Sequence, residues 1–139
     1  MTDAEFLAAF ESATLPPQSF DHRGHLRVAC FYLADKPFLE ACIAMRDGLR
    51  RFAASIGKAG LYHETVTIAF MSIVADRMAA DPGVPWAELL RRHPDLCDRG
   101  LLARYVEPGV LASEGARARL VLGERVRVAA PAASLAEAG

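Results

Sequence analysis

Apolar positions recur at helical spacing along most of the chain, and polar breaks cut the pattern into segments. Thr2-Asp3-Ala4-Glu5 has the form of a capping box, with Thr2 accepting from the Glu5 amide and the Glu5 carboxylate reaching back. Phe6, Leu7 and Phe10 follow as a short apolar stripe, and Pro16-Pro17 ends the segment because neither ring nitrogen can donate to a helix ladder. A second helix is predicted from Asp21, its N-cap, to about Leu33, with His22, Leu26, Ala29 and Leu33 in line and His25 to one side. The third, from about Pro37 to Ile56, is plainly amphipathic. Phe38, Cys42, Met45, Leu49, Phe52 and Ile56 share one face, opposite Glu40, Arg46, Asp47, Arg50 and Arg51. Gly48 weakens that helix by about 1 kcal/mol relative to alanine, and Gly57-Lys58-Ala59-Gly60 closes it.

A fourth helix, from Tyr62 to about Ala80, is apolar nearly all round through Val66, Ile68, Phe70, Met71, Ile73, Val74 and Met78, which predicts a central position. A fifth starts at Pro85, shows Trp86, Leu89 and Leu90 on one face, and stops at His93-Pro94-Asp95. A shorter helix around Arg99 to Tyr105 and a turn at Glu107-Pro108-Gly109 follow, and Leu120 to Val128 alternates like a small hairpin. The expected fold is therefore all-α: a single compact helical bundle of about five helices over residues 1–128, with a short extended segment near the C-terminus. Residues 129–139, rich in Ala, Pro and Ser, read as a mobile tail.

Composition narrows the class. With 139 residues the chain is one domain, and 53% hydrophobic residues are far more than a disordered chain carries. A net charge of −1 argues against a nucleic acid as principal partner, and no apolar run is long enough to span a membrane. The N-terminus shows no signal-peptide pattern, so a cytoplasmic protein is expected. Cys30, Cys42 and Cys97 are odd in number and widely spaced, which favours buried thiols over a disulfide framework or a zinc ribbon.

The candidate chemistry lies at two helix openings. His22 and His25 stand three residues apart behind Asp21, and Tyr62-His63-Glu64-Thr65-Val66-Thr67 opens the fourth helix. Three imidazoles with a nearby carboxylate are suitable ligands for zinc, nickel or iron(II), so His22, His25 and His63 are candidate ligands of a divalent transition metal. Glu64 is then a further ligand or a catalytic base, and Tyr62, Thr67 and Tyr105 frame a small-molecule site. Known metal motifs are absent: His63-Glu64-Thr65-Val66-Thr67 has threonine where a zinc protease needs its second histidine. No Glu-x-x-His occurs, which removes a ferritin-like di-iron centre. His93, beside Pro94, reads as a loop histidine.

The pattern Phe20-x-His22-x-x-His25-Leu26-Arg27-x-Ala29, then Tyr62-His63-Glu64-Thr65-Val66-Thr67, then His93-Pro94-Asp95-Leu96, resembles a family of small bacterial proteins. The likeness covers roughly residues 20 to 120, departing at Cys30 and Val106 where the family carries aromatics, and it implies no activity, cofactor or partner. Other readings of the same residues stay open. Two helix N-termini and several imidazoles suit a phosphate or carboxylate ligand. Alternatively the histidines are structural, each bonding a backbone carbonyl, and the chain is an interaction module. Ile43 on the charged face of the third helix and Phe31 off the histidine line of the second would then belong to a homodimer interface.

Overall fold

The structure, a computed structural model, describes residues 1–123. Its helices are α1 (Asp3–Glu11), α2 (His22–Asp35), α3 (Phe38–Ser55), α4 (Glu64–Ala80), α5 (Trp86–Arg92), α6 (Pro108–Leu111) and α7 (Glu114–Ala118). Short 3-10 turns at Pro17–Ser19, Ala59–Leu61, Pro94–Cys97 and Leu102–Arg104 join them. The fold is all-α, with the five long helices where the apolar spacing puts them. Among the described residues no helix is long and apolar enough to cross a membrane. Leu120–Gly123 forms no strand, and the remainder of the expected hairpin, with the 129–139 tail, lies outside the described residues.

Local chemistry sets the boundaries. Thr2 and Glu5 make both bonds of the capping box at α1. The Asp21 carboxylate accepts from the Gly24 amide at 2.9 Å and starts α2. Gly57 takes a left-handed φ of 70° just past α3, a conformation that a side chain would strain. Gly48 has a packing reason. The fully buried Phe10 ring lies over it so closely that a Cβ there would overlap the ring. The loss of helix propensity at Gly48 thus allows α1 to dock on α3.

The expected centre of the bundle, the fourth helix, gives way to the second. α2 packs against α1, α3, α4 and α5, and buries Leu26, Val28, Ala29, Cys30 and Tyr32. α4 packs against α2, α3 and α7 and buries Thr65, Thr67, Phe70, Met71, Ile73 and Val74, but Ile68 and Met78 are only half-buried. One flank of α4 borders a cavity instead of another helix, so its all-round apolar sequence is not fully covered. The C-terminal end of α4 is pinned by charge. Arg77 donates to both Asp95 oxygens, at 2.7 and 3.0 Å, and Arg104 adds a third bond at 3.0 Å. These guanidiniums, Arg77 foremost, hold the Asp95 carboxyl down at about 2. His93 is no idle loop histidine: its Nε2 meets the Asp81 carboxylate at 2.6 Å.

Candidate functional site

A cavity of about 610 Å³ opens between the start of α2, the second half of α3, the start of α4 and the Cys97–Leu102 loop. Its wall is largely apolar. The lower part of the α3 stripe, Met45, Leu49, Phe52 and Ile56, faces this space, as do Phe20, Val66 and Phe70. His22, His25, His63, Tyr62 and Thr67 also line it, so five of the seven side chains expected at a site share one cavity. Cys97, at the end of the Pro94–Cys97 turn, and Asp98 and Arg99 just after it complete the rim, with no motif to mark them.

Each imidazole is held by a carbonyl, and a carbonyl oxygen can only accept, which fixes every tautomer. His22 donates from Nε2 to the Leu96 carbonyl at 2.9 Å, leaving Nδ1 bare. His25 donates from Nδ1 to the Asp21 carbonyl at 2.8 Å, leaving Nε2 bare, and its ring stacks on Phe20 at 4.0 Å. Burial lowers the His25 pKa against the opposing pull of that carbonyl, so its neutral form is favoured. No buried side-chain polar atom in the described residues lacks a partner; the bare Nε2 of the half-buried His25 therefore reaches open space.

His63 differs. It donates from Nε2 to the Leu111 carbonyl at 2.7 Å and accepts at Nδ1 from the Val66 amide at 3.1 Å, acting as the N-cap of α4. Neither ring nitrogen is open. A three-histidine metal centre would require His63 to give up its cap bond from the Val66 amide, since Nδ1 is its unprotonated nitrogen, and the rings of His22 and His25 stand 6.5 Å apart. Among the described residues no group of three or more His, Cys, Asp or Glu side chains is placed to hold a metal ion. The donor set does not fit the expected transition metal.

Glu64 is not on the cavity wall: it accepts from the Tyr62 hydroxyl at 2.5 Å and orients that ring, over which the Arg50 guanidinium lies at 4.9 Å. Burial, then the Glu64 bond, raises the Tyr62 pKa. Tyr105 also departs from expectation. It is 55% exposed, away from the cavity, with its hydroxyl accepting from Arg77 at 3.3 Å. Thr67 lines the cavity while donating to the His63 carbonyl at 2.8 Å. Burial disfavours the thiolate at each cysteine, pushing Cys30 up to about 12 and raising Cys42 and Cys97.

A strap ties down the segment that leads into α4. Arg117 reaches the carbonyls of Gly60, Leu61 and Tyr62 at 3.0 to 3.3 Å. Thr65, fully buried, donates to the Arg119 carbonyl at 2.8 Å and accepts from the Val121 amide at 3.0 Å. With the His63–Leu111 bond, α6, α7 and the segment after them hold the approach to α4 in place. Comparison with protein-family models, curated proteins and solved structures finds no match to this chain.

Proposed function

We propose that this protein binds a small, largely apolar molecule in the cavity bordered by His22, His25 and His63. The carrying observation is the cavity itself: about 610 Å³, walled by aliphatic and aromatic side chains, with a few polar groups converging on it. Ligand sites typically measure about 300–1,000 Å³ and share that composition, whereas a packed interior leaves few voids larger than a water molecule. His25, neutral and with Nε2 bare, is the group on the wall best suited to take a proton from a bound molecule. Titration with the neutral solvatochromic dye Nile red tests the reading. Saturable one-to-one binding, weakened about tenfold or more by filling the cavity with Val66→Trp, is the expected result. Dye that does not saturate, or is indifferent to that substitution, overturns it.

A second reading has its own observation. At the start of α3, Leu39 is 72% and Ile43 48% exposed, and Phe38 lies beside them, so a small apolar patch faces solvent. Such a patch suits a two-fold homodimer. Light scattering across a concentration series tests it: a dimer that Ile43→Glu dissociates supports the interface, and a monomer throughout removes it.

A further inference from the structure

We propose that the cavity selects a ligand that donates hydrogen bonds, an O–H or N–H group on an apolar body, over carboxylates and phosphates; this rests on reading the cavity as a ligand site. The argument comes from where the donors go. His22 Nε2–H is engaged by Leu96, His25 Nδ1–H by Asp21, and His63 Nε2–H by Leu111. The Tyr62 hydroxyl donates to Glu64 and the Thr67 hydroxyl to the His63 carbonyl. Each imidazole and hydroxyl on the wall has therefore placed its proton on an acceptor inside the protein.

Apart from the weakly donating Cys97 thiol, the imidazoles and hydroxyls of the wall offer the cavity what remains: the bare nitrogens of half-buried His25 and of the more exposed His22, and the lone pairs of the two hydroxyl oxygens. A carboxylate or phosphate would set its own lone pairs against these. A neutral His25 supplies no countercharge, since burial disfavours its imidazolium. The charged groups of the cavity, Asp98 and Arg99, are opposite in sign and exposed at the rim, where water competes for both. An alcohol, phenol or amine instead gives His25 Nε2 the proton it lacks while its apolar body rests on Phe20, Phe52 and Phe70. The aromatic faces also tolerate an ammonium head.

Four probes of matched body decide the matter by calorimetry: 4-butylphenol, 4-butylbenzylamine, 4-butylanisole and 4-butylbenzoate. The phenol or the amine should bind about tenfold or more tighter than the ether and the carboxylate, because an unmatched buried acceptor is costly. Which of the two binds tighter tells a hydroxyl ligand from an ammonium one. His25→Leu should collapse the advantage. As a check that needs no variant, long-range proton–nitrogen spectra should show His25 protonated at Nδ1, with the Nε2 signal moving when the tight probe is added. Equal binding of the ether, tightest binding of the benzoate, or a protonated Nε2 overturns the inference and leaves the cavity reading standing. Failure of all four probes overturns it as well, and the Nile red titration then tells whether the cavity reading falls with it.

Discussion

The openings of α2 and α4 are alike in sequence and opposite in use. Both place a histidine at or beside the helix start, and both histidines border the same cavity. At α2 the cap is a carboxylate, Asp21, so the imidazoles of His22 and His25 need only one bond each and keep one nitrogen free. At α4 no carboxylate stands in that place. His63 itself caps the helix and has no nitrogen left over. Whether a histidine at a helix start is available for chemistry depends on which residue satisfies the orphan amides of the first turn.

Substitutions can break that contrast. His63→Ala removes a cap and strips a partner from the Leu111 carbonyl, and should cost roughly 2–4 kcal/mol in urea unfolding. His63→Asn, which can still cap, should recover part of the loss; full wild-type stability of the alanine variant would show that the imidazole carries no structural role. Asp21→Ala should cost about 1 kcal/mol by the same measurement. If it instead leaves stability untouched, the α2 histidines are not freed by that cap.

The smaller effects concern His25. Its Nδ1 bond goes to a carbonyl that already accepts from the His25 amide, so His25→Gln should change stability by no more than about 1 kcal/mol while weakening ligand binding. Because the folded pKa of His25 lies below its ordinary value of 6.5, the unfolded chain takes up that proton first as pH falls. Its contribution to stability is complete above the unfolded value and is lost as pH drops through the lowered one. The slope of unfolding free energy between neutral and mildly acidic pH should therefore be shallower in His25→Gln than in the native sequence. Identical slopes would mean that His25 titrates alike in both states.

Wherever the determinants are local, the sequence predicts well. The Thr2–Glu5 box, the Asp21 cap and the α3 stripe involve residues a turn or two apart, and α2 to α5 start and stop within about two residues of expectation, whereas α1 ends at Glu11, short of the Pro16-Pro17 stop. That Met45, Leu49, Phe52 and Ile56 face a cavity is not legible, because an apolar stripe looks the same against a void as against a helix. His63 as a cap is equally hidden, since the usual capping residues are Ser, Thr, Asp and Asn. α6 and α7 are too short to show a period, and distant bonds hold them: Leu111 to His63, Arg119 to Thr65. Tyr105 is misplaced for a similar reason. The Arg77–Asp95 clamp fixes the loop that carries it, and no spacing announces that pair.

The strap bears on the order in which the parts of the fold are completed. It pairs Gly60, His63 and Thr65 with residues 48 to 57 positions later, whereas α2 meets α3 across a two-residue turn. Closing a loop of that length demands more chain entropy than closing a hairpin, so the α2–α3 pair is the natural early nucleus and the strap docks late. During synthesis His63 is made 48 residues before Leu111, and until that residue follows, the imidazole cap of α4 has nothing to orient its other nitrogen. In amide exchange the Val66 proton should consequently open with the strap, sooner than the amides of α2, and the cavity wall at the start of α4 is finished only after the core beneath it has condensed.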